Sequence, residues 1–254
     1  MVISSIPLLS LKILGLLNQH DSLLNEPIAV GLGAIPGALS RYYLTVLFSH
    51  WLGASFPFGT FFINLSGALL MGFFATLMAK EFAEAYRKIA WTAVYTSPMK
   101  RTIATAKPLC DAVGIEMQLR DGLKEIRYGK WEGQTVEFVK EHYGEDYVRW
   151  LTEPAWNAPT GGETATEIAS RASVVVAEIQ KKCPTGNVLI VSHKATIRII
   201  LCSLLGIDLG RYRDRINALA GSVSVVKFDV YGPLLEVLGD RSYMNENLRS
   251  FRGS

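Results

Sequence analysis

The chain has 254 residues, 49 of them charged, and a net charge of +3. Residues 1–79 hold only Lys12, Asp21, Glu26 and Arg41, whereas residues 80–254 hold the other 45 charges. That step excludes a single uniform soluble domain and a disordered or fibrous chain, and the charge is too weak to argue for a nucleic-acid partner. Three cysteines, Cys110, Cys183 and Cys202, lack C-x-x-C spacing and fit free thiols in a reducing compartment, with neither a disulfide framework nor a metal site.

Residues 3–17 are apolar but short and contain Pro7 and Lys12. They lack a basic leader and a small-residue cleavage site, so residues 1–26 read as an extension with an interfacial helix. Ile28–Trp51 is a second apolar stretch, interrupted by Pro36 and Arg41. Phe58–Ala79 follows with 22 residues and no charge. At about 1.5 Å per residue it reaches roughly 33 Å, enough to cross a hydrocarbon core. Residues 27–79 are therefore expected to form two transmembrane helices. Gly33-x-x-x-Gly37 and Ala68-x-x-x-Gly72 offer small-residue faces for close helix approach. Lys80, Arg87 and Lys88 place the following domain on the cytoplasmic side of the plasma membrane.

Gly33-Ala34-x-x-Gly37-Ala38-x-x-Arg41-Tyr42, Phe56-Pro57-x-Gly59-Thr60, Asn64-x-x-Gly67 and Gly72 resemble the first half of the Fluc (CrcB) fluoride channels. The resemblance implies that Asn64 lines the anion path and that Arg41 and Thr60 belong to the structural and vestibule set. A dehydrated anion needs polar donors at such depth. It also implies four spans and pairing as dimers, so a homodimer through the membrane helices is one expectation. Beyond Ala79 the longest apolar run, Ile197–Ile207, has 11 residues and contains Arg198. Fluoride transport would then need a partner supplying the missing spans.

From Lys80 onward, β-branched runs alternate with amphipathic stretches, the pattern of a three-layer α/β domain with a mostly parallel sheet. The reading is a helix at Glu81–Ile89, a strand at Thr92–Thr96 and a helix at Met99–Val113 capped by Ser97 with Pro98 first. A strand at Glu116–Leu119 comes next. Thr164-x-x-Glu167 opens a helix to about Lys182. Val188–Val191 is a buried strand of the parallel type, followed by a helix to Leu205. Ser222–Val230 and Leu234–Leu238 form a hairpin. His142 falls on an exposed helix. His193 closes the Val188–Val191 strand, and Arg101 lies in the first turn after Thr92–Thr96, where helix N–H groups favour an anion.

Tyr95-Thr96-Ser97-Pro98-Met99-Lys100-Arg101-Thr102-x-x-Thr105-Ala106, Leu123-x-Glu125-x-x-x-Gly129-x-Trp131-Glu132-Gly133, Gly161-Gly162-Glu163 and Val191-Ser192-His193 resemble the histidine phosphatase (phosphoglycerate-mutase-like) superfamily over about residues 80–240. The resemblance implies phosphoryl transfer through a phosphohistidine, on a small phosphorylated metabolite and without a cofactor. It makes Arg101 a phosphate-binding arginine, His193 the second active-site histidine, Glu125 the proton donor (with Glu132 nearby in sequence) and Glu163 a residue bordering the pocket on the phosphate-binding side. The family's nucleophile sits in an Arg-His-Gly motif at the end of the first strand. None of His20, His50, His142 and His193 follows an arginine or precedes a glycine. The domain is therefore expected to lack its first strand, to be weakened at the sheet edge and to turn over slowly or not at all. Three readings stand: a membrane-tethered phosphatase-like domain, an incomplete fluoride-channel component, and a gene fusion without function.

Overall fold

The computed structural model describes residues 58–250, with side chains from residue 72 to 249, together with Leu39, Tyr42, Tyr43 and Val46. The chain divides into two units, 1–72 and 73–254, each described by itself. Of the first unit, the expected span at Ile28–Trp51, apart from Leu39, Tyr42, Tyr43 and Val46, and the candidate Arg41 lie outside the described residues. Thr60 and Asn64 belong to helix α1 (Phe58–Tyr86), but their side chains are likewise outside them. Among the described residues, no helix is long and apolar enough to cross a membrane. The helix expected at Glu81–Ile89 is the last part of α1, which ends at Tyr86.

In the second unit, β1 (Trp91–Thr96) leads to α2 (Lys100–Val113) and β2 (Met117–Leu119). Short helices α3 (Val136–His142) and α4 (Gly144–Thr152) precede the long α5 (Ala165–Lys182). Then come β3 (Asn187–Val191), α6 (Lys194–Leu205) and α7 (Tyr212–Arg215). The hairpin β4 (Val223–Asp229) and β5 (Gly232–Asp240) precedes α8 (Glu246–Ser250). The capping box is complete: Thr164 Oγ1 accepts from the Glu167 amide, and the Glu167 carboxylate accepts from the Thr164 amide. Thr164→Ala should cost about 1 kcal/mol, read as a shift in the urea midpoint.

The parallel sheet has the order β2-β1-β3, and β4-β5 is a separate antiparallel pair. Strand β1 is buried because both its edges are paired and both its faces covered. Ala93 and Tyr95 meet Leu123, Val175 and Ile179 on the α5 side, while Val94 meets Ala106 and Cys110 of α2 on the other. This alternation is what a strand between two helical layers requires. A further cluster joins Ile168 of α5 to Ile199, Leu201 and Cys202 of α6 and to Tyr212. Phe82 and Ala83 of α1 pack on Leu109, with Leu189 of β3 and Val223 of β4 against the same cluster.

Strand β3 differs from the sequence expectation of a fully buried strand. Val188 to Val191 are only half-buried, because β1 is its single partner among the described residues. Among the described residues β3 thus has one ladder partner, and β4-β5 forms no ladder with the parallel sheet.

Candidate functional site

The register of the sheet assembles the site. Thr96 of β1 stands opposite Val191 of β3, so both chains leave the carboxyl end of the sheet side by side. Such strand ends are where open α/β sheets place ligands. One exit becomes Ser97 and the first turn of α2 with Arg101, the other becomes His193, the N-cap of α6.

Arg101 Nε donates to His193 Nδ1 at 3.0 Å, and His193 Nε2 lies 2.9 Å from Ser97 Oγ. His193 is buried while Arg101 is exposed. Burial, reinforced by the Arg101 and Arg171 guanidinium groups, pushes the His193 pKa down to about 4. The ring is therefore neutral at pH 7 and carries one proton. Because Nδ1 accepts from Arg101, that proton sits on Nε2 and is donated to Ser97 Oγ. Ser97 was expected to cap α2, but the helix begins three residues later behind Met99, and the hydroxyl accepts from the Met99 amide at 3.4 Å and from His193.

A depressed histidine pKa carries a pH signature. Below about pH 6.5 the unfolded chain takes up a proton that the folded domain refuses, so stability falls as the pH drops through that value and is lost down to about 4. The expected loss is on the order of 3 kcal/mol. Urea unfolding followed by tryptophan fluorescence at pH 7.5 and 4.5 measures it, and His193→Gln should flatten the slope.

Glu125 meets the first turn of α6. Its Oε1 accepts from the Ile126 amide at 3.1 Å and lies 3.5 Å from Thr196 Oγ1. Thr196 also ties down the loop by donating to the Lys124 carbonyl at 2.7 Å. The carboxylate raises the pKa of Tyr128, after burial, which is the larger cause.

Glu163 is tied to Arg171 and to the Arg127 backbone. Its Oε1 accepts from Arg171 Nε at 3.1 Å, and its Oε2 accepts from the Arg127 amide at 3.0 Å. The Arg171 guanidinium also donates to the carbonyls of Gly122 at 2.7 Å and Glu125 at 3.3 Å. Sequence reasoning missed Arg171, Ser97 and Thr196. Arg171 had no visible signal, since an arginine within a helix is indistinguishable from a surface one.

The glycines of the two loop motifs lie back to back. Gly129 has φ +58, and a Cβ there would run into Thr160 O and the Gly161 backbone. A Cβ on Gly162 would meet Arg127 O. Lys130 N donates to Thr160 O at 2.9 Å and Glu163 N to Arg127 O at 3.0 Å, closing the two loops on one another. Gly129→Ala should destabilise the domain by about 2 kcal/mol or more, seen as a lowered melting temperature.

Of the remaining histidines, His142 ends α3 exposed, stacked on Phe138, as expected. His20 and His50 lie outside the described residues. Among the described residues, no group of three or more His, Cys, Asp or Glu side chains is gathered as a metal site.

Arg101 and His193 thus converge at the carboxyl end of the parallel sheet of an α/β domain, with Glu125 in the loop that meets α6. A family model described as histidine phosphatase superfamily (branch 1) matches residues 76–241, and the chain belongs to that superfamily. A second, described as CrcB-like protein, Camphor Resistance (CrcB), matches residues 28–108. The chain therefore resembles a second family in its first part, and the two matches overlap at residues 76–108.

The chain is 35% identical to phosphoserine phosphatase 1 of Hydrogenobacter thermophilus over 138 residues, 54% of this chain and 64% of that protein. It is 59% identical to the fluoride-specific ion channel FluC of Trichormus variabilis over 54 residues, 21% of this chain and 39% of the channel. It thus spans less than two thirds of either relative. Among solved structures, Bacillus stearothermophilus YhfR superposes with a TM-score of 0.62 at 23% identity, over 66% of this chain and 83% of that one. The alpha-ribazole phosphatase from Shigella flexneri gives 0.60 at 20% identity, over 65% and 82%. These two show the fold.

Proposed function

We propose that the C-terminal domain binds a small phosphomonoester through Arg101 and His193, with Glu125 beside the leaving oxygen, and that it turns the ester over slowly or not at all. The Arg101–His193 hydrogen bond carries this reading, because it sets an exposed guanidinium beside a neutral, buried imidazole at the sheet's carboxyl end. The weak turnover rests on the state of His193. Its Nδ1 lone pair is held by Arg101 and its Nε2 bears the proton, so no ring nitrogen is open to attack phosphorus. Phosphoserine is the first ester to test, since the relative with 64% of its length matched bears that name. Titration of the full chain in detergent with phosphoserine and inorganic phosphate, alongside a hydrolysis assay, should show saturable binding and little release of phosphate. Hydrolysis that is lost on His193→Ala would overturn the inactivity.

The N-terminal part is proposed to hold this domain at the plasma membrane, cytoplasmic side, through spans at 28–51 and 58–79. The similarity to FluC over 54 residues and the scarcity of charge before residue 80 support this. Resistance of the protein to carbonate extraction from membranes tests it. The same similarity favours, as a second reading, a fluoride-channel component incomplete by itself. Fluoride efflux from liposomes holding this chain alone would contradict the incompleteness. Absence of both activities from the intact chain would leave the gene-fusion reading.

A further inference from the structure

Strand β3 combines two features that rarely persist together in a parallel sheet: four successive apolar residues, Val188 to Val191, and only partial burial. Its inner edge is settled by the ladder to β1. Ser97 N donates to Val191 O, and the register pairs Val94 with Leu189 and Thr96 with Val191. In an extended strand, alternate residues direct their N–H and C=O groups to opposite edges. Leu189 and Val191 therefore bond to β1, and Val188 and Ile190 present theirs outward. Among the described residues no strand pairs with that edge.

The other edge of the sheet is managed differently. Strand β2 has three residues and ends beside Arg120, which is paired with Glu178 at 2.6 Å. Short length and charge are the usual protections of an edge. Strand β3 has neither. On one face its Val188 and Ile190 reach the α5 cluster, and on the other Leu189 and Val191 reach the α2 cluster. Leu189 also shares the Phe82–Leu109 cluster with Val223 of β4, although β3 and β4 form no ladder.

We propose that the outer edge of β3, beside β4, is a receptor site for one extended strand of a partner polypeptide bearing apolar side chains on both faces. The backbone groups of Val188 and Ile190 select a strand, since a helix satisfies its own. The apolar clusters above and below the sheet select the side chains. Addition of a strand to a sheet edge is an established mode of peptide recognition.

The experiment uses the full chain in detergent, labelled for amide exchange, and a soluble peptide of alternating valine and isoleucine flanked by lysines. Saturable binding should slow exchange at the Val188 and Ile190 amides by about tenfold or more, leaving Leu189 and Val191, already bonded to β1, little changed. The same peptide N-methylated at alternate residues should lose the effect. Equal protection by the N-methylated peptide, or none by either, would overturn the proposal. So would protection that rises with protein concentration in the absence of peptide, which would make a second copy the occupant. None of these readouts depends on phosphate binding, so either reading can fail alone.

Discussion

Arg101→Ala is expected to weaken binding of inorganic phosphate to the full chain at least about tenfold, a charge-assisted bond to an anion being worth roughly 1.5–3 kcal/mol. The same change releases His193 Nδ1 and removes one of the two guanidinium groups that hold the imidazole pKa down. That pKa should rise yet stay below the ordinary histidine value, because burial is the largest cause of its depression. Phosphate titration by calorimetry and the histidine C–H resonances against pH read the two effects on one sample. Arg101→Lys should restore part of the binding but not the Nε contact, since a lysine ammonium cannot place a donor at both the ring and the anion. Unchanged binding in Arg101→Ala would remove the site from this corner of the sheet.

The second large effect belongs to a residue that need not touch any ligand. Arg171→Ala leaves the Glu163 carboxylate buried without its partner and strips a donor from the carbonyls of Gly122 and Glu125. Breaking a buried pair from one side costs about 3–5 kcal/mol, and the partial exposure of Arg171 places this case near the lower end. The domain should lose about 3 kcal/mol in chemical denaturation, and the loop bearing Glu125 should exchange its amides faster. Glu163→Gln is the milder change, as a neutral amide still accepts from Arg171. Arg171→Lys should rescue little, because three acceptors in different directions require a forked donor.

Much of the second unit was legible in the sequence because local signals agreed. Thr164 and Glu167 announced the start of α5, and the apolar run at 188–191 announced β3. Arg101 and His193 were legible as candidates that would meet, since both sit where a strand becomes a helix. What was not legible is long-range. That Ser97 serves His193 rather than capping α2 depends on the register of two strands far apart in the chain. Glu163 reads as a pocket residue from its Gly-Gly-Glu motif, but its partner Arg171 lies two turns along α5 and only the fold shows which way it reaches. Gly129 and Gly162 likewise read as motif letters until their loops are seen pressed together.

The central position of β1 has a consequence for synthesis. Both β2 and β3 depend on it, and the ladder from Thr96 closes only after Val191 has left the ribosome. Until then β1 is a largely apolar ribbon with an open side, beside the nearby α2 and β2. Pairings this distant in sequence form slowly and leave intermediates prone to self-association. The yield of folded chain should therefore fall more steeply with expression rate and temperature than its equilibrium stability would suggest, with chaperone supply setting how much reaches the native sheet.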